Sequence, residues 1–75
     1  MSTKLFIAKC THLSMLLNEA YNKREEITIV NYCARVLKGL KEFINSFDGD
    51  DKELEMLNDY YQITFFNFMK FQEER

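Results

Sequence analysis

The side chains best suited to nucleophilic or metal chemistry in this 75-residue chain are two cysteines and one histidine. Cys10 and His12 are neighbours in sequence, but two positions on a helix turn side chains by about 200°, which keeps the thiol and the imidazole apart. Two thiols and one imidazole are also fewer than the four ligands of a structural zinc site. We therefore expect Cys10 and Cys33 to pack as small apolar side chains and His12 to flank the core. A phosphorelay or metal-binding role centred on His12 is the least favoured function.

A second chemical group is a cluster of carboxylates between residues 48 and 59. Carboxylates at an exposed helix start have nothing to raise their pKa for acid catalysis, and no phosphate-binding glycine loop accompanies them. The sequence therefore predicts no enzyme, no metal and no cofactor. Helix capping explains much of the cluster, and the alternative is an acidic surface that mimics nucleic acid for a basic partner. The members of this acidic surface are Asp48, Asp50, Asp51, Glu53, Glu55 and Asp59.

Three cations of the second predicted helix, Arg35, Lys38 and Lys41, lie close enough together to suggest phosphate contacts. Residues 1–41 hold seven Lys/Arg and three Asp/Glu, a balance of +4, whereas residues 42–75 hold three and nine, a balance of −6. A nucleic-acid-binding domain usually carries a basic excess, and here the total is −2. A nucleic-acid-binding regulator is therefore the alternative from a different functional class.

The elements that must position these groups are helices. The chain contains no proline and two glycines, and its apolar residues recur at spacings of three and four. These features predict one all-α domain over residues 1–75, a three-helix antiparallel bundle with short connections. The predicted helices span about 4–22, 28–47 and 51–71, followed by a polar tail at 72–75.

Capping residues mark the predicted helix starts. Ser2 or Thr3 precedes the first helix, and Thr28 precedes the second after a polar linker at 22–26. Asp50 and Glu53 have the spacing of a capping box at the start of the third helix. The turn before that helix contains the only glycine placed outside a helix, Gly49.

Each predicted helix carries an apolar stripe that defines the expected core. In the first helix the stripe is Phe6, Cys10, Leu13, Leu17 and Ala20. In the second it is Ile29, Cys33, Val36, Leu40, Phe43 and Phe47, widened by Val30, Leu37 and Ile44. In the third it is Leu54, Leu57, Tyr61, Phe65 and Phe68.

The third helix has more apolar residues than one stripe accommodates. Met56, Tyr60 and Ile63 are predicted to point about 180° away from its core stripe, with Phe66 to one flank. Four contiguous apolar positions on an exposed helix face form the kind of patch that marks an interface. Such a patch can meet a second copy of the chain or a different protein, and the simplest form is homodimerisation through the third helix, which would complete the bundle.

The function that follows from these patterns is protein binding. A chain of this size buries only ~60% of its unfolded surface, which makes burial against a partner important. We expect a small non-enzymatic protein that modulates or inhibits another protein through an apolar and acidic helical surface. No apolar run approaches the ~20 residues that cross a bilayer, and two cysteines make no secreted disulfide framework, so a cytoplasmic location is expected.

Overall fold

The computed structural model describes residues 1–23 and 26–73, and these form three α-helices without a strand. The helices are α1 (Thr3–Lys23), α2 (Glu26–Asn45) and α3 (Asp51–Glu73). They pack around one apolar core within extents of 39 × 17 × 16 Å. The predicted all-α class and the packing of three helices are confirmed.

The helix ends differ from the predicted ones by at most two residues, and the start of α3 at Asp51 agrees with the prediction. α2 begins at Glu26, so Thr28 lies inside its first turn, and the prediction that Thr28 caps this helix is wrong. α3 continues to Glu73 and includes the first half of the predicted polar tail. The rest of that tail, and part of the predicted 22–26 linker, lie outside the described residues.

Contacts between the helix ends establish the up-down-up arrangement. The Thr3 hydroxyl at the start of α1 donates a hydrogen bond to the Glu53 carboxylate at the start of α3. Phe6, also near the start of α1, packs on Phe43 near the end of α2, with 5.6 Å between ring centroids. α1 and α3 therefore run in the same direction, and α2 runs antiparallel to both.

The caps of α1 and α3 follow the sequence, with one difference. Ser2 Oγ accepts a hydrogen bond of 3.1 Å from the Leu5 amide, so Ser2 is the N-cap of α1. Asp50 Oδ1 accepts one of 3.1 Å from the Lys52 amide at the start of α3. Glu53, predicted to return a bond to the backbone of Asp50, instead binds α1 through Thr3. This side chain thus connects two helices.

The core confirms the predicted stripe of α1 completely, since all five of its residues are buried. α2 contributes four buried residues, and the remaining predicted residues of its stripe pack partly buried against them. The buried residues of α2 are Cys33, Leu37, Leu40 and Ile44. The broad apolar face predicted for α2 therefore lies against both neighbouring helices.

The core stripe of α3 is rotated relative to the predicted one. Phe65, predicted to be buried, is 39% exposed. Thr64 and Phe71, which were not predicted in the core, are both 2% exposed. Thr64 fits a buried position because its hydroxyl donates a hydrogen bond of 2.9 Å to the Tyr60 carbonyl one turn earlier. The polar side chain is satisfied within its own helix.

Candidate functional site

The four residues predicted to form an interface are all exposed in the folded chain. Met56 and Tyr60 are 37% and 38% exposed, and Ile63 and Phe66 are 62% and 65% exposed. All four belong to α3, at spacings of four, three and three residues. Apolar side chains scattered singly are ordinary on a protein surface, whereas four at helical spacing form a continuous strip.

The rotation of the α3 core changes which of these residues points directly outward. At about 100° per residue, the buried residues of α3 fall within an arc of about 60°. Phe66 lies nearly opposite the centre of that arc, while Met56, Tyr60 and Ile63 lie on one flank. The prediction that these three residues point about 180° from the core is therefore wrong, and the lower exposure of Met56 and Tyr60 reflects their position beside the core.

The flank that carries these residues is the one beside α1. Glu53 and Thr64 lie on the same side of the α3 core stripe, and both contact α1, through Thr3 and Cys10 respectively. Tyr61 lies on the other side, where its ring is 5.4 Å from Nζ of Lys41 on α2. The apolar strip of α3 thus begins at the boundary with α1 and continues round to the outermost face.

Two further exposed apolar side chains extend this strip beyond the predicted set. Phe65 is stacked on Tyr61, with 5.8 Å between ring centroids, and Met69 is 40% exposed on the outer side of the helix. Sequence analysis missed both, because Phe65 was assigned to the core and Met69 to no stripe. We define the α3 surface as the exposed residues Met56, Tyr60, Ile63, Phe65, Phe66 and Met69.

The acidic residues are divided between structural and exposed positions. Asp50 caps α3 and Glu53 binds Thr3, so these two carboxylates have contacts that explain their presence. The other four carboxylates are exposed. On α3, about 100° per residue places Asp51, Glu55 and Asp59 on the outward side that also carries Phe66. An acidic run therefore leads along α3 into the apolar strip.

The three basic residues of α2 do not share one direction. All are exposed, but Lys41 lies over the Tyr61 ring of α3. Arg35 is about 120° away from Lys41 around the helix axis. The positive charge is therefore spread over two sides of α2. Arg35 and Lys38, which are three residues apart, lie on its outer side.

The thiols lie where nucleophilic chemistry is disfavoured. Cys10 and Cys33 are both free and buried, and Cys10 hydrogen-bonds with Thr64. Burial raises the pKa of both thiols above the usual value of 9.0, which favours the neutral form. His12 is exposed, and its ring lies edge to face with that of Tyr32, with 6.3 Å between the ring centroids.

The raised thiol pKa values predict a loss of stability in alkali. The folded-state pKa values of the thiols exceed the unfolded value of 9.0. Their contribution to the free energy of unfolding is therefore complete below that pH and is lost as the pH rises through the folded-state pKa values. We expect the free energy of unfolding in urea to fall as the pH rises above about 9, where the unfolded thiols ionise before the buried ones. The Cys10→Ala/Cys33→Ala variant should show a flatter profile, and an equal fall in that variant would assign the effect to other groups.

The described part of the chain contains no group of three or more His, Cys, Asp or Glu side chains placed to hold a metal ion. None of the described helices combines the length and apolar character that crossing a bilayer requires. The sequence matches no protein-family model and no curated protein, and the fold matches no solved structure.

Proposed function

We propose that this chain is a non-enzymatic protein that binds another protein and modulates it through the α3 surface. The single observation that carries the proposal is the exposure of Ile63 and Phe66, each more than 60% accessible on a regular helix. Burying such side chains against a partner gives about 25 cal/mol per Å² of apolar surface. The exposed acids beside them supply a charged rim, an arrangement common at protein interfaces.

The proposal includes homodimerisation through α3. Aromatic and methionine side chains, enriched at interface cores, make up five of the six residues of the α3 surface. A small domain with one apolar core gains stability by placing such a strip against a copy of itself. Protein binding and self-association therefore draw on the same property of α3.

The test compares three forms of the protein as bait in affinity capture from the source cells. The variant Tyr60→Asp/Ile63→Asp places charges on the α3 surface. The matched control is Met15→Asp, because Met15 is an apolar residue of α1 with 59% exposure and lies opposite the buried stripe of that helix. We expect the double variant to lose the proteins that both wild type and Met15→Asp retain.

Salt separates apolar docking from nucleic-acid mimicry. Apolar docking keeps its partner when the ionic strength is raised to about 0.5 M, whereas binding dominated by the acidic surface weakens by orders of magnitude. Circular dichroism of each variant establishes that the helices persist. Identical captured proteins from all three baits would refute a role for the α3 surface.

A further inference from the structure

The outward side of α3 carries a short pattern that is self-complementary. Asp59, Ile63, Phe66 and Lys70 follow one another at spacings of four, three and four, the a/d spacing of a helical seam. At about 100° per residue they fall within an arc of about 60°, which runs from the outermost point of α3, at Phe66, toward the flank beside α1. Ile63 and Phe66 are the two most exposed large apolar residues of α3, and both charged residues are exposed. The pattern thus has an apolar centre and one charge of each sign at its ends.

We infer that a second copy of this chain covers the seam, with the two α3 helices antiparallel about a two-fold axis. Asp59 precedes Ile63 by four positions, and Lys70 follows Phe66 by four positions. In an antiparallel pair centred between Ile63 and Phe66, each Ile63 therefore faces Phe66 of the other copy. The same register brings each Asp59 opposite Lys70 of the other copy, which gives two equivalent ion pairs.

Charge complementarity selects this arrangement over a parallel one. In a parallel pair in register, Asp59 would face Asp59 and Lys70 would face Lys70, and like charges in contact oppose association. Antiparallel seams also pair a positions with d positions, which is how the four residues match here. Asp59 and Lys70 are both exposed, and neither forms an ion pair with another residue of the described part of the chain.

The exposed apolar side chains of α3 alone supply somewhat more than half of the area that a standard dimer buries on each partner. Side chains of this size offer about 150–250 Å² each when fully exposed, so the exposed fractions of Met56, Tyr60, Ile63, Phe66 and Met69 amount to on the order of 500 Å². A standard interface buries about 800 Å² on each partner. Asp59, Gln62 and Lys70 are also exposed on this side of α3 and add polar area to it. This inference rests on the proposed association through the α3 surface and specifies its geometry.

The test exchanges the charges at the two ends of the seam. Asp59→Lys gives a chain whose seam ends are both basic, and Lys70→Asp gives one whose ends are both acidic. Two ion pairs in each homodimer then become two repulsive pairs, and we expect the dissociation constant of each single variant to rise on the order of ten-fold. Mixing the two variants restores complementary pairs, as does the double exchange Asp59→Lys/Lys70→Asp.

The readout is the solution mass by sedimentation over a range of protein concentrations. We expect wild type, the double exchange and the equimolar mixture to form dimers at similar concentrations, and the two single variants to dissociate. Glu42→Lys, an exposed exchange on α2, is the matched control for charge alone. If Ile63→Asp disrupts the dimer but the charge exchanges leave its dissociation constant unchanged, the antiparallel register is wrong. Association through α3 would still hold. A wild-type protein that stays at 9.0 kDa at all concentrations would show that a second copy does not cover the seam. The affinity-capture experiment with Tyr60→Asp/Ile63→Asp would then still test binding to another protein.

Discussion

Replacing Phe6 with alanine is expected to lower the free energy of unfolding by about 3 to 5 kcal/mol. Phe6 is 0% exposed, and its ring packs on Phe43 at 5.6 Å where α1 meets the end of α2. Truncation removes a large apolar side chain and leaves a cavity that the neighbouring helices fill only in part. A domain of this length has a total stability of about 4 to 11 kcal/mol, so the variant should lose a large share of the stability of the fold.

Urea unfolding followed by circular dichroism measures this effect at one fixed protein concentration, since self-association would otherwise change apparent stability. Met15→Ala is the matched control, because it shortens an exposed side chain of the same helix. Exposed substitutions of this kind change stability by about 0.5 kcal/mol or less. A Phe6→Ala protein as stable as this control would show that Phe6 does not contribute to the core.

Two phenylalanines of α3 are expected to respond to alanine substitution in opposite ways. Phe71 is 2% exposed, and Phe71→Ala should lower the free energy of unfolding by about 3 kcal/mol. This is the lower end of the usual range, because Phe71 lies in the last turns of the helix. Phe65 is 39% exposed and stacked on Tyr61, and Phe65→Ala should lower the free energy of unfolding by about 1 kcal/mol or less. Comparing the two losses of stability shows which face of α3 is turned toward the core.

The same urea experiment decides between the two possible core stripes of this helix. The chemistry of the two substitutions is identical, so intrinsic helix propensity cancels in the comparison. A larger loss for Phe65→Ala than for Phe71→Ala would place Phe65 in the core and contradict the observed packing. It would also restore Met56, Tyr60 and Ile63 to the side opposite the core.

The sequence alone determined the helical class and most of the helix limits. Lack of proline removes the strongest helix breaker, and the acidic turn with Gly49 separates the last two helices clearly. In α1 one stripe of apolar residues recurs at spacings of three and four, and all five of its members are buried. The sequence also predicted exposed apolar residues in α3, because this helix has more apolar positions than one core face can bury. These residues are Met56, Tyr60, Ile63 and Phe66.

Only the tertiary structure decided how α3 is turned. The aromatic residues surround this helix so closely that a stripe through Tyr61 and Phe65 and one through Thr64 and Phe71 have equally good helical spacing. Threonine counts as polar in any apolar pattern, yet Thr64 is buried because its hydroxyl reaches the Tyr60 carbonyl and its other side meets Cys10 of α1. Glu53 behaves similarly, since it contacts Thr3 across the bundle in place of its own helix start. Contacts between residues fifty or more positions apart settled both questions, and local periodicity carries no information about them.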